Sequence, residues 1–238
     1  MIRLADFTRI ACLCHDATHP ANYARTRDRL ALLGGHCEAF LNGVPGTPGS
    51  DGRPIPAGEY DRINDAPPPA DYPAFLPPGC WHHDRAFRAV IRRAKADRLP
   101  SVLIVEHDLL WADGPGRVAE SLAAIDLPGD WALFYLGANH AEHDTAEVPG
   151  HPGLLRLSGS YCVHAVAVRD IAYDAVLGLP HDGPMDWMLG RYVHPAMPCY
   201  AAWPSVAVQE AGWSDVWGRH ADYLAAFRSK GRNWPGSP

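Results

Sequence analysis

The sequence predicts a single α/β domain with a mostly parallel central sheet and helices on its faces. Three observations predict it. The chain opens as strand, helix, strand. An amphipathic helix then runs directly into a continuous apolar strand. Further apolar runs of strand length follow as far as residue 228, separated by helical stretches and glycine stops.

Residues Thr8 to Cys14 (TRIACLC) read as a buried strand. Between Asn22 and Leu33 apolar positions recur near helical spacing and stop at Gly34-Gly35, a helix end. Cys37 to Leu41 reads as the second strand. Between Gly43 and Gly79, 16 of 37 residues are Gly or Pro, so regular structure is hard to sustain there. This segment, 43–79, is read as an irregular insertion within one domain covering 1–228, because the α/β pattern resumes after it.

Cys80 to Arg98 is the clearest helix. Phe87, Val90, Ile91 and Ala94 form an apolar stripe at spacings of 3, 4 and 7. Arg85, Arg88, Arg92 and Arg93 are expected mostly on its other faces. Pro100 ends the helix, and Ser101 to Val105 is an apolar strand with Glu106-His107-Asp108 at its end. Arg117 to Ile125 follows as a helix, then a strand from Trp131 to Leu136 stopped by Gly137. Tyr161 to Val168 is a strand, Arg169 to Leu177 a helix, and Pro184 to Leu189 a short helix. Val206 to Val208 is a last strand and Arg219 to Arg228 a last helix. The tail, 229–238, has no periodicity.

Composition narrows the function classes. The 238 residues are 47% hydrophobic and 20% charged, ordinary globular values. A net charge of −6 argues against a dedicated nucleic-acid binder. No apolar run approaches the roughly 18 residues of a membrane-spanning helix. Six scattered cysteines without a C-x-x-C pair predict reduced thiols and a cytoplasmic setting, not a disulfide framework.

Most information lies in Leu103-Ile104-Val105-Glu106-His107-Asp108. In open α/β sheets ligands bind beyond the carboxyl ends of the strands. Side chains alternate along a strand, so Glu106 and Asp108 are expected on one side, with His107 on the other. Two such carboxylates suit a hard divalent cation, which helps a diphosphate leave. A solvated strand end is the competing reading.

The surroundings of this segment resemble glycosyltransferase family 25, which includes lipooligosaccharide and collagen galactosyltransferases. The resemblance rests on Gly79-Cys80, His83 with Ala86-Phe87-Arg88, Val105-Glu106-His107-Asp108 and Tyr135-Leu136-Gly137. Downstream it rests on Gly159-Ser160-Tyr161 through Ala167, Pro184-Met185-Asp186-Trp187, Pro204 with Gln209, and Ser214-Asp215-Val216. It spans roughly residues 8–217. His107 stands where the family's Glu-Asp-Asp has its middle acid, and His82 where its helix begins with Ser. The N-terminal Asn-Leu-Asp is missing.

The resemblance implies a GT-A-type fold, a UDP-sugar donor carrying galactose or glucose, Mn²⁺ or Mg²⁺, and a glycan acceptor hydroxyl of the lipopolysaccharide class. Imidazole at position 107 favours a transition metal over Mg²⁺. By the same resemblance Asp108 is the metal contact, with Glu106 assisting or touching the nucleotide. Asp186 is the general base that takes the acceptor proton, with Asp182 as its rival. His83 caps its helix or faces the donor, and His194 is a late metal ligand. Arg25, with Arg29 on the same helix face, is a candidate phosphate contact. Trp213, Asp215 and Gln209 are candidates for acceptor binding, with Trp203 and Trp217 nearby. Two other function classes compete. One is a metal-dependent hydrolase using His82-His83-Asp84 and His140-x-x-His143-Asp144. The other is an inactive module that binds nucleotide sugar or glycan. The run from His140 to Glu147 otherwise reads as a polar loop.

Overall fold

The computed structural model describes residues 2–14, 20–41, 72–140, 145–214 and 219–227. Most of the predicted insertion, the tail 229–238, Asp215, Trp217 and His143 lie outside the described residues.

The first half follows the predicted order. Strand β1 (Ile10–Cys14) leads through helix α1 (Pro20–Ala31) to β2 (Cys37–Leu41). Helix α2 (Pro78–Ala96) has prolines at its start, where a missing N–H costs no hydrogen bond. It feeds β3 (Ser101–Glu106). Then come β4 (Leu109–Trp111), helix α3 (Pro115–Ala124) and β5 (Leu133–Tyr135).

The second half is built from shorter pieces. These are β6 (Asn139–His140), β7 (Thr145–Glu147), β8 (Leu154–Leu157), β9 (Ser160–Tyr161) and β10 (Ala165–Arg169). Helices α4 (Tyr173–Leu177) and α5 (Met185–Met188) follow, the latter continuing into a wide turn over Leu189–Val193. The described chain finishes with β11 (Cys199–Ala202), β12 (Ala207–Gln209), β13 (Gly212–Ser214), β14 (Arg219–Ala221) and α6 (Leu224–Phe227).

Eight strands form the main sheet in the order β2-β1-β3-β10-β5-β11-β8-β7. It is mixed, which corrects the mostly parallel expectation. β1 pairs in parallel with β2 and β3, and β5 with β11, whereas β10 runs antiparallel to β3 and β5, and β8 to β11 and β7. Parallel neighbours need a long crossover, usually a helix. Helices precede β2 and β3, but the described chain between β5 and β10 contains only short strands, and β10 returns antiparallel.

Strand alternation divides the core in two. Val102 and Ile104 pack on one face with Phe87, Val90, Ile91 and Ala94 of α2, all fully buried. Leu103 and Val105 pack on the other with Val118 and Leu122 of α3. The predicted stripe of α2 is therefore buried as expected.

Arg88 departs from its expected outward position. It and Asp84, one turn earlier, are each only 2% exposed and are joined at 2.7 Å. The guanidinium also donates to the carbonyls of Val176, Leu177 and Pro180. Five fixed donors let one arginine satisfy a carboxylate and three carbonyls together.

Three smaller expectations are also corrected. The predicted helix from Arg219 begins as strand β14, because it pairs with β13. The predicted strand from Tyr161 is broken at Cys162, whose φ is +69°. His140 is buried in β6 and Glu147 lies in β7, so that stretch is not one continuous loop. Gly137 ends β5 as read, and a Cβ there would lie 2.0 Å from the Ala207 carbonyl oxygen. The backbones touch closely because Val206 and Ala207 both donate to the Leu136 carbonyl.

Three histidines are buried with the core. Burial pushes His140 and His164 down to about 4 and His194 to about 3. Their folded values lie below the ordinary 6.5, so the stability from keeping them neutral is complete above pH 6.5. It is lost as pH falls towards 4. Three such groups set a slope of roughly 4 kcal/mol per pH unit near pH 5. Burial raises the Asp108 and Asp186 carboxyls, which acts in the opposite direction and offsets part of it. Urea midpoints measured from pH 6.5 to 4.5 are expected to fall steadily, and a flat profile would mean these rings are charged in the native state.

Candidate active site

A cleft of about 550 Å³, counting space open to solvent, lies at the carboxyl end of β3. Its polar lining includes His83, Glu106, Asp186, Gln209, Ser214 and Tyr223. Four of the residues predicted from sequence thus meet in one place, each from a different element.

α2 delivers His83 one turn before Phe87, whose burial fixes that face of the helix towards the sheet. β3 delivers Glu106 as its first side chain beyond the apolar core. The imidazole Nε2 donates to Glu106 Oε1 at 2.9 Å. Burial works against both charges, but their mutual hydrogen bond and attraction prevail. They hold His83 above the ordinary histidine range and Glu106 below the ordinary carboxylate range. The pair therefore favours imidazolium beside carboxylate.

Asp186 sits in the first turn of α5. Its Oδ1 accepts the Trp187 N–H at 2.9 Å and its Oδ2 the Cys162 N–H at 3.1 Å. The left-handed backbone of Cys162, costly for a residue with a side chain, accompanies that second contact. Burial raises Asp186 above the usual carboxylate range, and the two amides only partly counter it. A carboxylate so placed is a stronger base near neutral pH than a solvated one.

Asp108 stands beside this lining and reaches it through Gln209, whose Nε2 donates to Asp108 Oδ2 at 2.7 Å. β3 ends at Glu106, so strand alternation does not place Asp108. The β4–β12 pairing does: Gln209 lies opposite Leu109, and Glu210 N–H donates to the Asp108 carbonyl. The second oxygen, Asp108 Oδ1, is buried without a hydrogen-bond partner among the described residues. Burial, reinforced by the Glu106 charge, pushes Asp108 up to about 8. An orphaned carboxylate oxygen next to a second carboxylate fits a divalent cation, which would relieve the repulsion between them. Glu106 and Asp108 would hold it. Among the described residues no group of three or more His, Cys, Asp or Glu side chains is gathered.

Other predicted residues are placed elsewhere. His194 is 1% exposed, and its Nδ1 accepts the Ser160 N–H while its Nε2 meets the Tyr135 hydroxyl at 2.9 Å. Both ring nitrogens are engaged in the core, which leaves no lone pair for a metal. Arg25 is exposed on α1 and pairs with Asn22 and Glu210 instead of lining the cleft. Arg29 binds Glu210 and the Leu109 carbonyl. Thr26 donates to the His107 carbonyl, so this face of α1 braces the turn that carries Asp108. Trp213 lies in β13, next to Ser214 of the lining, and Asp215 is outside the described residues.

Of the histidine clusters, His143 and Asp144 lie outside the described residues. Asp84 is committed to Arg88 and to His181, whose Nδ1 donates to it at 2.7 Å. His140 is bonded to Ser160. Sequence reasoning missed Cys80, Cys162 and Tyr223 in the lining. The left-handed φ of Cys162 has no signal in the sequence, since that conformation is usually marked by Gly or Asn. Among the described residues no helix is long and apolar enough to cross a membrane.

No family model and no curated protein matches this chain. Among solved structures it is similar to a glycosyltransferase involved in the glycosylation of the major capsid of PBCV-1. The identity is 11%, the match covers 82% of each chain, and the TM-score is 0.44.

Proposed function

We propose that this chain is a glycosyltransferase that moves galactose or glucose from a UDP-sugar to a hydroxyl of a glycan, assisted by Mn²⁺ or Mg²⁺. The observation that carries this reading is the meeting of the His83–Glu106 pair, Asp186 and the Gln209–Asp108 pair at one cleft beyond a sheet's carboxyl edge.

In this reading the donor diphosphate lies near the end of β3. Glu106 and Asp108 would hold the cation, which when bound would supply Lewis-acid neutralisation of the leaving diphosphate. His83, charged beside Glu106, adds a hydrogen-bond donor at the same end. Asp186 takes the acceptor hydroxyl proton as the oxygen bonds to the anomeric carbon, while the bond from that carbon to the diphosphate breaks and UDP departs. The paired amides of Cys162 and Trp187 hold the base in one orientation.

Donor binding is testable without knowing the acceptor. Ligand bound only to the native state raises apparent stability, by about 2.7 kcal/mol at a hundred times Kd. UDP-galactose or UDP-glucose with Mn²⁺ is expected to raise Tm by several degrees, and Asp108→Ala to abolish the rise. No shift with either sugar, or an unchanged shift in Asp108→Ala, would sink the assignment.

A further inference from the structure

We propose that Trp187, with Tyr161 beside it, is a stacking platform for a pyranose ring of the acceptor, a site outside the cleft. This rests on the glycosyltransferase reading and names the acceptor-binding surface that reading lacks.

Trp187 follows Asp186 directly, and its own N–H is one of the two that hold the carboxylate. The residue is 39% exposed, more than is usual for tryptophan, which is highly buried on average. The half-buried Tyr161 ring lies 6.4 Å from it, centroid to centroid, at an interplanar angle of 59°. Tyr192, 37% exposed, stands on the continuation of the same short helix.

Polar groups accompany these rings. The Tyr192 hydroxyl donates to Asp182 Oδ2 at 2.5 Å. Arg191 is 3.9 Å from that carboxylate and 5.3 Å from the Tyr192 ring centre. Both charged side chains are well exposed.

An aromatic face flanked by exposed hydrogen-bonding groups matches a carbohydrate better than an aliphatic protein surface. The axial C–H face of a β-galactoside or β-glucoside is apolar and lies against an aromatic ring, while its equatorial hydroxyls need donors and acceptors around the rim. The platform is next in sequence to Asp186, the residue assigned to remove a proton from the acceptor. Asp182, the rival base, has a second role in this arrangement, as part of the rim.

The test is saturation-transfer NMR on the full chain, with methyl β-D-galactopyranoside and methyl β-D-glucopyranoside as probes. The expected result is transfer to the ring C–H protons of at least one probe. Trp187→Ala should weaken it at least tenfold and Trp187→Phe only partly. The UDP-sugar melting shift should be unchanged in Trp187→Ala, and the probe signal unchanged in Asp108→Ala. Loss of the melting shift in both variants would overturn the separation of the two sites. Absence of signal in the wild type, or its persistence in Trp187→Ala, overturns the proposal. So does concentration-dependent dimerisation that Trp187→Ala abolishes, which would assign the patch to a second copy. A failed donor reading appears differently: no melting shift, with the probe signal intact.

Discussion

Asp186→Asn is expected to lower the rate of sugar transfer by about 10²–10⁴-fold, the usual worth of a positioned general base. The substitution keeps the size and shape of the side chain and removes its ability to take a proton. One amide contact is also lost, because an Asn side chain accepts at one oxygen while both Cys162 and Trp187 present N–H donors. That loss costs about 1 kcal/mol of stability, too little to unfold the chain. Donor binding is expected to persist, so the UDP-sugar melting shift separates a missing base from a missing donor site. In the wild type, burial holds Asp186 above the ordinary carboxylate range, so activity should decline on acidification at a pH higher than a solvated aspartate would set. UDP release measured with β-glycoside acceptors reads both effects. A variant within threefold of wild type would remove Asp186 from the role.

Arg88→Met is expected to destabilise the fold by about 3–5 kcal/mol, the cost of breaking a buried ion pair from one side. Asp84 would stay in a site where it is 2% exposed, with the His181 imidazole as its remaining side-chain partner among the described residues. The carbonyls of Val176, Leu177 and Pro180 would lose their donor as well. Those carbonyls lie at the end of α4 and in the chain that leads to Asp186, so the damage should reach the cleft. Removing both charges, in Arg88→Met with Asp84→Leu, is expected to recover a good part of the loss, because no buried charge then lacks a partner. Urea unfolding of the two variants makes the comparison, and an Arg88→Met midpoint equal to wild type would show the pair to be dispensable.

Local pattern accounts for what could be read in advance. The Phe87–Ala94 stripe and the apolar run ending at Val105 repeat with the periods of helix and strand, and both are buried where those periods place them. Strands β4 and β6 are not legible in the sequence, because two or three residues carry no readable period. They exist through pairing with distant partners, as Gln209 does with Leu109. Arg88 was read as a surface residue since arginine usually is one, and nothing near it in sequence announces the three carbonyls that hold it.

Candidate residues followed the same division. Glu106 stands out because a strand period stops there, and His83 because it precedes a clear helix face. Arg25 and His194 carry the same residue types as real phosphate and metal contacts, yet their surroundings commit them to Glu210 and Asn22, and to Tyr135 and Ser160.

The amino-acid sequence by itself determined the principal strands and helices and the acidic end of β3, since these follow from neighbours within a few residues. Only the tertiary structure decided that the sheet is mixed, that Cys162 turns an amide towards Asp186, and that Asp108 meets Gln209. Those contacts join residues tens of positions apart, and burial in the folded chain, not residue type, sets which groups hold charge and which face the cleft.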